Sequence, residues 1–218
     1  MIKVTYFLEV ISSWCYWAEP NWAKLKEHYA NRCTFDWKIA LMDASGLPSS
    51  RQQAEWFYRR SGTIVNSPFM LNSGWYQDEV TEYLAPNLIA EAAKDFGFVD
   101  DKVRLAIADA ALRTGAKVGD WKVAVSIAAQ ASGLDEALLL QKAQSAEVEA
   151  RARASTNEFH SLKVAQRPTF VLESGIGDRA VFSGLASIEP LIATIEAMLH
   201  DEAAYESWAA HFGPPPVK

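Results

Sequence analysis

Glu9-Val10-Ile11-Ser12-Ser13-Trp14-Cys15-Tyr16 is the junction at which an extended segment passes into a helix. Upstream, Lys3 to Glu9 is nearly continuous in apolar and aromatic character, the pattern of a strand covered on both faces. Downstream, the spacing predicts a helix from about Cys15 to Ala30, with Trp17, Trp22, Leu25 and Tyr29 on an inward stripe. A second strand follows over Thr34 to Leu41, where Phe35, Trp37, Ile39 and Leu41 alternate with Thr34, Asp36, Lys38 and Ala40. The unit is short enough to be a right-handed βαβ crossover. A helix start leaves its first N–H groups without partners and carries partial positive charge. Ser12 therefore reads in two ways: a plain N-cap, or a hydroxyl that donates to a thiolate brought in by a ligand. No base is visible to ionise it. Cys15, one turn into the helix, is either a lone reactive thiol or a small buried hydrophobe.

Beyond the second strand the pattern changes. From about Pro48 to Ala150 helical signals repeat and no convincing strand occurs, so residues 48–146 read as a helical insertion. Residues 1–47 and 147–218 then form the enclosing domain. Val103, Ala106, Ile107, Ala110 and Ala111 have the spacing of a buried helix face. Asp120 is placed to cap a helix through Ala131, with Gly133 as its left-handed stop. Ser61 to Tyr76, rich in Gly, Ser, Asn and aromatics, reads as a loop. Strands return at Thr169–Glu173 and Ala180–Phe182 around the turn Ser174-Gly-Ile-Gly-Asp178, and a last helix from near Ser187 buries Leu191, Ile195, Met198 and Leu199. The order is β-α-β, helical insertion, α, β-β-α. The tail Gly213-Pro-Pro-Pro-Val-Lys218 cannot extend a helix and reads as a loose terminus.

Composition narrows the function classes. With 50% apolar and 22% charged residues, the chain is globular rather than disordered. A net charge of −6 argues against a general nucleic-acid or anionic-membrane binder. No signal-peptide pattern and no membrane-spanning apolar run occur, so the expected setting is the cytoplasm. A helix rising about 1.5 Å per residue holds Cys15 and Cys33 roughly 25 Å apart, while a disulfide tolerates a Cα separation of about 7 Å. No structural bridge is expected, as befits a reducing compartment. Zinc-ligand spacing, Gly-rich phosphate loops and a nucleophilic serine elbow are all missing, so neither a metal nor a nucleotide cofactor is implied.

Taken together these segments resemble the DsbA family of thioredoxin-like proteins, in particular its cytosolic branch. Residues 9–16 are similar to that branch's Asp-x-x-Cys-Pro-Trp-Cys-Tyr, with Ser12 in place of the first cysteine and Ser13 in place of the proline. Arg167-Pro168-Thr169-Phe170-Val171 resembles its Val-Pro-Thr-Phe-Val loop, where the proline is cis. Phe182-Ser-Gly184 and the helix after it resemble the closing strand and helix. The resemblance implies an α/β thioredoxin fold with a large all-helical insertion between its βαβ and ββα halves. The same superfamily holds kappa-class glutathione transferases and 2-hydroxychromene-2-carboxylate isomerases, in which Ser-Pro-x-Ser/Ala replaces Cys-x-x-Cys and the leading serine holds the glutathione thiol. Ser12 matches that serine.

The resemblance therefore implies glutathione as a cofactor or co-substrate; the aromatics suit a small hydrophobic substrate, and Arg167, if functional, an anionic one. Ser12 and Cys15 are the candidate catalytic residues. Trp14, Trp17 and Trp75 would supply aromatic walls, with Trp56, Phe57, Tyr58 and Tyr76 on the lid side. The loop at Pro168 and Thr169 would pair with a peptide backbone. Arg167 is either a carboxylate clamp or a solvent-exposed arginine beside the pocket. Arg59 and Arg60 could bind the carboxylates of glutathione, or form a solvated helix face. His160 is a general-base candidate, or a structural histidine. A monothiol oxidoreductase using Cys15 and a non-catalytic binding module are the alternatives. A homodimer would be unsurprising.

Overall fold

The computed structural model describes residues 1–184 and 187–213. The proline-rich residues 214–218, read above as a loose tail, lie outside it. Strands β1 (Ile2–Leu8), β2 (Cys33–Ile39), β3 (Thr169–Glu173) and β4 (Arg179–Ser183) form one sheet in the order β2-β1-β3-β4. β1 runs parallel to β2, from Ile2 opposite Cys33 to Leu8 opposite Ile39. β3 pairs antiparallel with both β1 and β4. The apolar run of β1 has the expected cause, cover on both faces. Tyr6 stacks on Phe170 at 4.8 Å and tilts against Trp22 on one face, while Phe7 packs with Phe159, Ala40 and Val171 on the other.

Helix α1 spans Ser13–His28, two residues earlier at each end than the spacing suggested. Its buried stripe is Cys15, Ala18, Trp22 and Leu25, continued by Tyr29. Trp17 departs from that stripe, half-buried, and donates its Nε1–H to Ser61 Oγ at 3.0 Å. β2 stops at Ile39, short of Leu41, because the pairing changes hands there. Ala40 N still reaches Leu8 O at 2.7 Å, but Leu41 N turns to Thr156 Oγ1 at 3.0 Å.

Between β2 and the sheet's return lie α2 (Arg51–Ile64), α3 (Leu84–Ala93), a 3-10 turn (Lys94–Phe96), α4 (Lys102–Thr114), α5 (Trp121–Ser132) and α6 (Glu136–Ala143). α2 extends into the segment read as loop, and in its last turn the Ser61 and Thr63 hydroxyls donate back to Tyr58 O and Arg59 O. α4 is rotated from the expected face: Val103, Arg104, Ile107, Ala108, Ala111 and Leu112 are buried, while Ala106 and Ala110 are half-buried. The cause is Arg104, drawn inward by acidic partners. α5 follows expectation, with Asp120 accepting from Lys122 N and Gly133 closing it at φ 81°. Helix α7 (Ala146–Ser161) brings Phe159 under the sheet, and α8 (Glu189–Phe212) closes the fold on Leu191, Ile195 and Met198. Among the described residues no helix is long and apolar enough to cross a membrane.

Candidate functional site

The β1–α1 junction is held from both sides. Glu9, only 1% exposed, accepts from Ile11 N at 3.1 Å and from Asn87 Nδ2 at 2.5 Å, while its backbone carbonyl accepts from Ser12 N at 3.0 Å. Asn87, on α3, also accepts from Val10 N at 3.1 Å. Helix α3 thus grips the loop that presents Ser12. Ser12 then caps α1, its hydroxyl accepting from Cys15 N at 3.4 Å. No side-chain base bonds Ser12 Oγ among the described residues.

Burial pushes the Glu9 carboxyl up to about 7, against the opposing pull of the Asn87 bond and the Arg167 charge. A raised carboxyl pKa in the native state means that stability is fully present below the unfolded value and is lost as pH rises through the native one. Native stability should therefore fall between about pH 4.5 and 7 by about 2–3 kcal/mol from this group. Glu9→Gln, which keeps the shape of the protonated form, should remove that fall. Urea unfolding at pH 5 and pH 8 reads it. The same pH dependence in both proteins would show that Glu9 does not carry it.

Ser12, Ser13 and Trp14 open onto a cavity of about 420 Å³. Its other walls come from Met42, Asp43 and Pro48 after β2, from Phe57, Tyr58 and Arg60 of α2, and from Trp75, His160, Gln166 and Arg167. Trp75 is buried there and donates its indole N–H to Tyr58 Oη at 2.6 Å. Arg60 stacks over Trp56 and Phe57 at 4.9 and 5.1 Å and makes no ion pair among the described residues. Asp43 is held below the usual carboxylate range by the Ser45 hydroxyl and backbone N–H.

Several candidate residues stand elsewhere or do something else. Arg167 lines the cavity, but its guanidinium is no free clamp: Nε donates to Ala40 O at 2.5 Å and Nη2 to Leu41 O at 2.6 Å, and the group stacks on Phe159. It pins the end of β2 to the loop before Pro168, whose peptide bond with Arg167 is cis. Pro168 is buried and its carbonyl accepts from Gly184 N at 2.7 Å. Thr169 is fully buried, donating to Gln166 O at 2.7 Å, and presents no side chain to a ligand. Arg59 is exposed on α2 and lines neither this cavity nor the groove beyond α1. Trp17 lines that second groove, of about 480 Å³, with Tyr16, Pro20, Phe69 and Asp109. Cys15 is 2% exposed, and burial pushes its thiol up to about 11, the Ser12 hydroxyl only partly opposing. Cys33 is buried too, and both cysteines are unpaired.

Sequence reasoning missed the wall after β2 and the Glu9–Asn87 grip. An acidic residue ending an apolar strand was a signal for Glu9. Asn87 carried none, because a polar residue in an alanine-rich helix reads as surface.

The family model of the DSBA-like thioredoxin domain matches residues 3–196. A sequence comparison with curated proteins finds no match. Among solved structures, the cytosolic disulfide reductase DsbM from Pseudomonas aeruginosa superposes with a TM-score of 0.72 at 19% identity, covering 91% of this chain and 98% of that one. A second structure of that reductase, with GSH, gives 0.70 at 18% identity over 91% and 99%. 2-Hydroxychromene-2-carboxylate isomerase gives 0.64 at 14% identity over 93% and 98%. At such identities the likeness shows the fold.

Proposed function

The chain belongs to the DSBA-like thioredoxin family, and from that premise we propose that it is a thiol-dependent isomerase or transferase working on a glutathione thiol held at Ser12. The observation that carries this reading is a division of labour at one helix end. Ser12, 8% exposed, lines the cavity at the N-terminus of α1, while Cys15 one turn further in is 2% exposed and its thiol is protonated at neutral pH. An intramolecular dithiol couple needs two sulfurs in reach, and the two cysteines are separately buried.

The residues suit such a ligand. The cavity lies in the size range of small-molecule sites. Bound there, glutathione would supply the nucleophilic thiolate that the chain itself lacks. Ser12 would donate its O–H to that sulfur, and the unpaired N–H groups of the first helical turn would favour its negative charge. Trp14 and Phe57 would hold a planar apolar substrate, with Arg60, rather than Arg59 or Arg167, as the cation for an anionic group. The neighbours support the reading: one is a reductase with a structure in the presence of GSH, another an isomerase. Two unpaired cysteines and a cytosolic neighbour support a cytoplasmic setting.

Calorimetric titration of glutathione into the purified protein tests this. Saturable binding is expected. It should weaken about tenfold or more in Ser12→Ala, the worth of one hydrogen bond to a charged group, and persist in Cys15→Ser. No binding by the unmodified protein would sink the proposal.

A further inference from the structure

The C-terminal helix is longer than the body it packs on. Its buried positions, Leu191, Ile195, Met198 and Glu202, follow a 4-3-4 spacing, the repeat of a helix that keeps one face against a partner. At Glu202 the body ends. The carboxylate accepts from the Met1 amino group at 2.7 Å and from Gly175 N at 2.5 Å, tying the helix to the end of the sheet where β1 begins and β3 turns into β4. Residues 203–212 continue as helix for about 15 Å, and every one of them is exposed.

The spacing does not stop where the cover does. Tyr205, Ala209 and Phe212 extend the same face by 3-4-3, with Trp208 beside them and its ring 4.9 Å from that of Phe212. Tyr205, Trp208 and Phe212 are 65%, 59% and 65% exposed. An isolated helical end of this length gains little from propensity alone, and three large aromatics on one stripe in water are not a neutral surface. Beside the root of the extension, Met1 and the turn residue Ile176 are exposed as well.

We propose that residues 203–212 are a self-association surface, pairing antiparallel with the same segment of a second copy about a twofold axis. An antiparallel partner returns its Phe212 towards Met1 and Ile176, so one symmetry operation covers both the stripe and the apolar shelf at its root. The area is appropriate. Three aromatics worth about 150–250 Å² each when buried offer, at these exposures, roughly 300–450 Å². The alanines, Met1 and Ile176 bring each copy towards the roughly 800 Å² per partner of a specific dimer. Glu206 is the one carboxylate within 203–212, so little charge must be desolvated. A lipid surface fits less well, since Glu189–Phe212 contains acidic residues and neither Lys nor Arg.

Sedimentation velocity over a dilution series of the full chain is the test. The unmodified protein should form a species of twice the 24.2 kDa chain mass. Tyr205→Glu/Trp208→Glu should weaken the dimer at least about a hundredfold with unchanged circular dichroism. Val99→Glu, at an exposed apolar residue off α8, should leave it intact. A monomer at every concentration overturns the proposal, and so does a dimer that survives the double substitution.

Discussion

Arg104→Ala is expected to destabilise the protein by about 3–5 kcal/mol, because it strands two carboxylates that have little access to water. Arg104 is 3% exposed. Its guanidinium meets Glu19 in a bidentate pair at 2.6 and 2.9 Å and Asp101 at 2.5 and 3.1 Å. Asp101 is also bonded by Lys26 and, at 3.3 Å, by Trp22 Nε1. Tyr6 completes the cluster, its single hydroxyl proton shared between Glu19 at 3.1 Å and Cys15 O at 3.0 Å. The cost is that of breaking the network, not the worth of having it: an apolar replacement of all its members could be as stable. Arg104→Lys should recover little, since a single ammonium cannot bridge both acids bidentately. The exposed pair Arg153–Glu149 supplies the contrast, and Arg153→Ala should cost at most about 1 kcal/mol. Urea unfolding at neutral pH measures all three. A loss of 1 kcal/mol or less for Arg104→Ala would mean that Glu19 and Asp101 find water or other partners.

That network also explains what was legible in the sequence. β1 could be read because burial on both faces selects apolar side chains at all its positions but Lys3 and Thr5, and α5 because Asp120 and Gly133 stand at its two ends. The face of α4 could not, since an arginine looks like a surface residue until its carboxylates, on α1 and just ahead of α4 itself, are known. Trp17 was misread for a related reason: an indole fits a buried stripe, but its N–H had a partner on α2. Arg167 shows the hardest case. Its acceptors are the backbone carbonyls of Ala40 and Leu41, which no side-chain pattern records. Of the candidate site, Ser12 and Trp14 could be placed by the helix start, and the aromatics of α2 by composition. The wall after β2 depends on where a loop returns, which is a property of the whole fold.

Cys15 should resist thiol reagents at neutral pH at least about a thousandfold more than the same cysteine in the unfolded chain. The thiolate is the attacking species. Against an ordinary value of 9, a thiol pushed up to about 11 holds about a hundredfold less thiolate at neutral pH. A residue 2% exposed must further wait for the first turn of α1 to open. The opposing influence is the helix N-terminus, which lowers thiol pKa in this position when the sulfur faces solvent. Magnitudes decide between them: a helix end contributes about 0.3–1 kcal/mol, up to ~2 when partly buried, whereas a two-unit rise corresponds to about 2.7 kcal/mol. Cys33 is buried and shifted in the same direction, so Cys33→Ser isolates the signal. Disulfide-reagent titration of that variant should register almost no thiol in the native state and one per chain in denaturant. Fast native labelling of Cys15 would restore the monothiol route and take the chemistry away from Ser12. Slow labelling leaves the helix end without a usable sulfur of its own, as the proposed use of a ligand's thiol requires.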